Sequence, residues 1–233
     1  MQFEICAVNI QSAIAAERAG GHRIELCVAL DVGGLTPSHG LIRAAVHQLN
    51  IPVNVLIRPR EGHFHYSDYE LDIMLDDIRF CHEAGVHGVV VGALTADRQL
   101  DLPKMEAMKK MAGDIEIVCH RAFDFTTAPA TALEQLISLG FHRVLSSGQA
   151  ASAYEGRFIL QRLVQQAAGR IIIMPGAGIT AQNIRSIAET TGAQEFHFTG
   201  KKRMKGDTAI PGLEGDYWVS DEEEIRRIVA QLE

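Results

Sequence analysis

Eight short apolar runs alternate with eight stretches that carry helix start and stop signals, and this alternation restricts the fold more than any other feature of the chain. The runs fall at residues 2–6, 23–27, 53–58, 88–91, 115–120, 143–146, 171–174 and 195–198. Several, such as Val89-Val90-Val91 and Ile171-Ile172-Ile173-Met174, are apolar on both faces. That is the pattern of a parallel strand covered on both sides. Thr36-Pro37 predicts an N-cap followed by proline at the first helical position. Ser67-Asp68-Tyr69-Glu70 and Ser220-Asp221-Glu222-Glu223 predict capping boxes, and Thr180 precedes the seventh helix. Gly20, Gly85, Gly140, Gly169 and Gly192 stand where helices should stop. Four of these stops look alike, as in Ala19-Gly20-Gly21-His22-Arg23 and Leu139-Gly140-Phe141-His142-Arg143, which is a weak βα repeat. The chain has 233 residues and no linker or low-complexity tract. The reading is therefore an α/β chain forming a single (β/α)8 TIM-like barrel domain over residues 1–233. An open doubly wound sheet would want a glycine-rich fingerprint after the first strand, where Cys6-Ala7-Val8-Asn9 stands instead.

Strand side chains alternate faces, so the polar residues can be placed. Phe3-Glu4-Ile5-Cys6 puts Glu4 and Cys6 on one face, and Arg23-Ile24-Glu25-Leu26-Cys27 does the same for Glu25 and Cys27. Two acids and two thiols would then line the lumen, where unpaired charge is costly. Strand three places Asn54, Leu56 and Arg58 inward, strand five ends at His120-Arg121-Ala122-Phe123-Asp124, and strand eight turns Glu195 and His197 inward. Barrel active sites form at the C-terminal strand ends. Glu4, Glu25, Arg58, His120, Arg121, Asp124 and His197 are the candidate catalytic set, with Glu25 or His120 moving a proton and Arg58 and Arg121 holding an anion. The alternative is a buried ion-pair network that fills the lumen without catalysis. Ser147-Gly148, Gly176-Ala177-Gly178 and Thr199-Gly200-Lys201 follow strands six, seven and eight. Ser147, Gly148, Gly176, Gly178, Thr199 and Gly200 are therefore candidates for holding a phosphate, although glycines also make tight βα turns. Two long loops, 28–37 and 199–219, leave strand ends on the same side.

Cys6 and Cys27 are the candidate metal ligands. Two soft thiolates suit Cu(I), and the alternative is two small buried residues. Cys81 falls late in a helix and Cys119 alternates away from His120, so both read as packing residues. His63-Phe64-His65 reads as solvated loop. Leu71, Met74, Leu75, Ile78 and Cys81 form a core-facing stripe. The net charge of −7 leaves no basic footprint for nucleic acid, and no run approaches the ~20 apolar residues of a membrane span. No secretory leader is legible at the start, and four widely spaced cysteines suit reduced thiols, so a cytoplasmic location is expected.

The ordered motifs Glu4-Ile5-Cys6, Arg23-Ile24-Glu25-Leu26-Cys27, Gly33-Gly34-Leu35-Thr36-Pro37-Ser38, Ile57-Arg58-Pro59-Arg60, Tyr66-Ser67-Asp68, His120-Arg121-Ala122-Phe123-Asp124, Ser147-Gly148 and Glu195-Phe196-His197 resemble those of the copper homeostasis protein CutC family. The resemblance runs from Glu4 to about His197. It implies a cytoplasmic TIM-like barrel linked to copper, assembled as a homo-oligomer with a dimer favoured, and it maps the family's Cu(I) thiols onto Cys6 and Cys27. Two segments depart from the family's pattern. Glu61-Gly62-His63-Phe64 stands where Gly-Gly-Asp-Phe is usual, and Phe198-Thr199-Gly200 replaces a serine-containing segment. Three functions stay open. One is copper binding, and one is a scaffold acting by protein contact. The third is isomerase, lyase or aldolase chemistry on a small anionic metabolite, where the lack of a strand-end lysine argues against a Schiff-base aldolase.

Overall fold

The computed structural model describes residues 1–206 and 215–233. Among them, strands and helices alternate as β1 Gln2–Ala7, α1 Ile10–Arg18, β2 Arg23–Leu26, α2 His39–Gln48, β3 Val53–Leu56, α3 Asp68–Ala84, β4 Gly88–Val91, α4 Leu102–Ala112, β5 Glu116–Cys119, α5 Pro129–Ser138, β6 Arg143–Ser146, α6 Arg157–Ala167, β7 Ile172–Pro175, α7 Ile184–Thr191 and β8 Glu195–Phe198. A hairpin of β9 Lys201–Met204 and β10 Tyr217–Ser220 precedes α8 Glu222–Val229. The eight long-axis strands are all parallel, in the order β7-β6-β5-β4-β3-β2-β1-β8. A parallel bridge between Gly176 and His197 brings β7 against β8 and closes the ring. A Cβ at Gly176 would lie 2.4 Å from Leu145 Cδ1, so a larger residue there would have to displace that side chain. The eight-unit barrel read from the sequence is the fold of the chain.

Alternation separates two apolar layers. Ile5, Ile24, Val55, Val89, Ile117, Val144, Ile173 and Phe196 face outward and pack on the helices. Cys6, Cys27, Leu56, Val90, Val118, Leu145 and Met174 face inward and fill the upper lumen. Each fully buried aliphatic or phenylalanine side chain stabilises the barrel by roughly 1.5–3 kcal/mol. Cys81 and Cys119 belong to the outer layer, as their spacing predicts.

The local signals hold in part. Ser67 and Glu70 form the predicted capping box of α3. The five helix-stop glycines all take positive φ, between 71° and 92°, a region that costs other residues more. Thr36 does not cap α2, because Ser38 does. Thr36 Oγ1 instead accepts from the Arg58 N–H at 2.8 Å and ties the loop after β2 to the end of β3. The cap of α8 is Asp221, since Ser220 still belongs to β10 and donates its N–H to Ser12 Oγ. Helix α7 starts at Ile184 because Thr180 donates its N–H to Asn183 Oδ1 in a turn before it. The loop expected at 199–219 contains the hairpin, apart from residues 207–214, which lie outside the described residues. Trp218 fixes that hairpin: its indole N–H donates to Asp31 Oδ1 at 2.7 Å, and its carbonyl accepts from Asn9 Nδ2. The hairpin is thus fastened to the loops after β1 and β2.

Candidate functional site

The lower lumen is a charge network built from the inward residues near the strand starts. Arg23 donates through Nε to Glu4 Oε2 at 2.5 Å and through Nη2 to Glu195 Oε2 at 2.8 Å. Arg143 donates through Nε to the same Glu195 oxygen at 2.7 Å and through Nη1 to Glu116. Asn54 Nδ2 adds a second donor to Glu4 at 3.0 Å. Above this layer, His197 Nδ1 meets Glu4 Oε1 at 2.9 Å, and its Nε2 stands 3.5 Å from Glu25 Oε2. Burial on its own would raise the Glu4 carboxyl, but the His197 hydrogen bond and the Arg23 charge outweigh it and hold Glu4 at about 2. Burial carries Glu25 up to about 7, where the nearby Glu4 charge helps and His197 opposes. Burial lowers His197, but the Glu25 and Glu4 carboxylates more than reverse it, so its net shift is upward.

Directly above sit the thiols. Cys6 Sγ and Cys27 Sγ are 3.4 Å apart and buried. Donor atoms of Cys6, Glu25 and His197 all lie within 4.8 Å of one another. The hydrogen bond with Cys27, then burial, then the Glu25 and Glu4 charges push the Cys6 thiol up, so without a cation it keeps its proton. The converging donors are one soft sulfur, one imidazole and one carboxylate, with the Cys27 sulfur beside that of Cys6.

A cavity of about 610 Å³ opens over this floor, lined among others by Cys6, Glu25, Cys27, His120, His197 and Lys201. His120 is buried on its wall. Its Nδ1 accepts from the Ala122 N–H at 3.1 Å, so the ring proton resides on Nε2, which has no partner among the described residues. Burial, and then the Arg58 charge, hold His120 down at about 3. It is a neutral hydrogen-bond donor near pH 7, so of the two groups expected to move a proton, Glu25 and His120, it is Glu25 that titrates there.

Other predicted site residues serve the loops. Arg58 donates Nη1 to the carbonyls of Val32 and Gly34 and Nη2 to that of Gly62, which staples the loops after β2 and β3 together. Asp124 Oδ1 accepts from Ser146 Oγ, Ser147 N and Gln149 N, while its Oδ2 accepts from Arg121 Nε and Ser147 Oγ. These bonds hold Arg121 on the cavity rim and place Asp124, Ser147 and Gly148 outside the cavity lining. Of the six glycine-loop candidates, Gly178, Thr199 and Gly200 line the cavity. The adjoining helix α8 starts with Asp221 capping its own N–H groups and with Glu222, Glu223 and Glu224 in its first turn, and Glu224 reaches the cavity. The sequence reading missed Arg23 and Arg143 as site-building residues, although both share parity with neighbouring inward residues. It also missed Arg98, whose only mark is its place in a turn.

The fold and the site define a parallel (β/α)8 barrel with a thiol, carboxylate and imidazole cluster at the floor of its C-terminal mouth. The chain belongs to the CutC family, whose family model matches residues 1–202. A CutC family protein of Pasteurella multocida strain Pm70 is 49% identical over 201 residues, covering 86% of this chain and 82% of that relative. One from Xanthomonas axonopodis pv. citri strain 306 is 42% identical over 238 residues, covering 100% of this chain and 99% of its own length. The crystal structure of CutC from Streptococcus agalactiae superposes with a TM-score of 0.82 at 36% identity, covering 85% of this chain and 98% of that one. Phosphoribosyl anthranilate isomerase from Thermotoga maritima shares the fold alone, with a TM-score of 0.61 and 13% identity over 99% of this chain and 98% of its own.

Proposed function

We propose that the protein binds Cu(I) at the floor of the barrel mouth and takes part in copper handling, with Cys6 and Cys27 as ligands. The observation that carries this reading is the 3.4 Å approach of two buried sulfurs beside the Glu25–His197 pair. Copper homeostasis is the role in the name of the Streptococcus agalactiae relative. Two sulfurs on opposite sides of an ion at about 2.3 Å each would stand ~4.6 Å apart. The shorter spacing favours a bent arrangement with a third donor, for which His197 Nε2 and the Glu25 carboxylate are in reach. Metal binding replaces thiol protons, so affinity rises with pH. Four buried free cysteines fit a reducing, cytoplasmic setting. The exposed Tyr154, Phe158 and Ile159 near the start of α6 supply an apolar face for the dimer that belongs to this proposal.

Anaerobic Cu(I) titration against a competing chelator tests the reading. Wild type is expected to take up about one ion per chain, and Cys6→Ser/Cys27→Ser to lose that binding by two orders of magnitude or more. Glu25→Gln is expected to weaken it by roughly 10–100-fold, the usual effect of removing a supporting group. Unchanged affinity in the double serine variant would refute copper binding at this site.

One observation favours a second reading, proton-transfer chemistry of isomerase or lyase type on a small anionic metabolite. Glu25, poised at about 7 and 3.5 Å from His197, faces a cavity of substrate size. Arg58 and Asp124 are occupied by the loop contacts described above, so this reading rests on Glu25 and His197.

A further inference from the structure

A second cavity of about 720 Å³ adjoins the mouth and shares Gly33, Arg58, Phe64 and Arg121 with it. We propose that this cavity binds a small molecule that joins a flat apolar group to a phosphate or carboxylate. The inference goes beyond copper and needs neither thiol.

The apolar half of the site is a fixed ring pair. Phe64 is held by the Arg58 guanidinium 5.1 Å from its centroid, by the His120 ring at 4.9 Å and by the edge of Phe125 at 5.5 Å. Phe125 is 54% exposed, so this pair offers a free aromatic edge to a ligand. The polar half is cationic. Arg58, Arg98 and Arg121 line the cavity with His63 and His65, and among the described residues no carboxylate does. Arg58 and Arg121 are engaged by the loop carbonyls, Asp124 and Ser147 described above. The guanidinium of Arg98 has no hydrogen-bond or ion-pair partner among the described residues.

The backbone shows that Arg98 is placed there rather than left over. It sits at φ +58°, in the turn that closes the Leu94–Leu100 pairing, a position usually given to glycine or asparagine. Its N–H donates to the Thr95 carbonyl at 3.0 Å, and its carbonyl accepts from Thr127 N at 3.0 Å. A long cation is therefore held in a disfavoured conformation from both sides, with its fork free at the edge of an aromatic pocket. A planar fork of this kind matches the paired oxygens of phosphate or carboxylate. The volume falls within the usual range for small-ligand sites.

The test is isothermal titration of the metal-free protein with phenyl phosphate, with benzoate and inorganic phosphate as separate arms. Phenyl phosphate or benzoate is expected to bind, the preferred one naming the anionic group, and inorganic phosphate to bind more weakly than phenyl phosphate. Arg98→Gln is expected to weaken binding about tenfold or more, the loss of one charge-assisted pair. Arg98→Gly is expected to lose the same affinity while keeping or raising thermal stability, because glycine relieves the backbone. Phe125→Ala should weaken phenyl phosphate but not inorganic phosphate. Cys6→Ser/Cys27→Ser should bind phenyl phosphate as wild type does, which separates this site from the copper reading. The proposal is overturned by wild type binding neither aromatic anion, by equal affinity in Arg98→Gln, or by loss of binding in the thiol variant.

Discussion

Replacing Glu4 by glutamine tests whether the lower lumen is held by charge. The two Glu4 oxygens serve opposite sides: Oε2 accepts from Arg23 Nε at 2.5 Å and Asn54 Nδ2 at 3.0 Å, and Oε1 meets His197 Nδ1 at 2.9 Å. An amide has one oxygen, so Glu4→Gln can satisfy one side only and must turn its NH2 toward a donor on the other. It also takes a negative charge from a fully buried position beside Arg23. Breaking a buried pair in this way costs about 3–5 kcal/mol. Arg23 keeps Glu195 at 2.8 Å, which places the loss at the lower end, about 3 kcal/mol. For a chain of this length that corresponds to a fall in Tm of roughly 6–12 °C. Scanning calorimetry at pH 7 measures it, and proton NMR of the His197 ring gives a second readout. The His197 pKa should fall because one of the two carboxylates raising it is gone. A Tm within about 2 °C of wild type, with His197 titrating unchanged, would show that Glu4 does not act as the counter-charge described.

The same chemical change at Glu25 should have the opposite sign above neutrality. Glu25 is raised from 4.5 to about 7, so the stability linked to its proton is fully present below pH 4.5 and is lost as pH rises through about 7. That shift corresponds to about 3 kcal/mol. His197, also raised, adds loss in the same direction. Glu25→Gln is therefore expected to flatten the fall of Tm between pH 4.5 and 8.5 and to exceed wild type in Tm at pH 8; an unaltered slope would count against the burial argument. Gly92→Ala probes the His120 wall: a Cβ there would lie 2.5 Å from His120 Cε1 and 2.9 Å from Ala122 Cβ. Overpacking of this kind costs about 1–3 kcal/mol, and a Tm equal to wild type would mean that the His120 ring is loosely held.

How much of this was legible in the sequence follows from what strand parity can and cannot say. Parity placed Glu4, Cys6, Glu25, Cys27 and His197 on the lumen side, and the structure brings them together there. It did not say that His197 meets Glu4, because that contact depends on β8 pairing with β1 when the barrel closes, across 193 residues of chain. Arg58 and Asp124 read as chemistry because an arginine and an aspartate at strand ends look like substrate ligands. Backbone carbonyls and amides compete for the same groups, and here they win at three carbonyls and at two amide N–H groups. The hairpin was hidden for a different reason. Its strands have four residues each, and β9 is exposed throughout, so no apolar alternation marks it. What fixes it are contacts at long range in sequence, from the Trp218 indole to Asp31, from Asn9 to the Trp218 carbonyl and from the Ser220 N–H to Ser12.

The charge count of the lumen connects the two proposed sites. Two arginines, Arg23 and Arg143, face three carboxylates, Glu4, Glu116 and Glu195, which leaves one negative charge in excess. His197, whose pKa is raised by the two carboxylates, balances it when protonated, through its contact with Glu4. Glu25 also faces His197 at 3.5 Å, but burial outweighs that charge and carries it up to about 7. A monovalent ion arriving in place of a thiol proton leaves this balance unchanged, whereas an anion brought to the same floor would add an uncompensated charge. The floor therefore suits a cation, and the negatively charged first turn of α8 extends that preference along one wall. Arg58 and Arg121 line both cavities, whereas Arg98, His63 and His65 line the second alone, with no carboxylate among its described lining residues. The two proposed sites thus differ in the charge they would suit, a soft cation at the thiol floor and an anion beside Arg98.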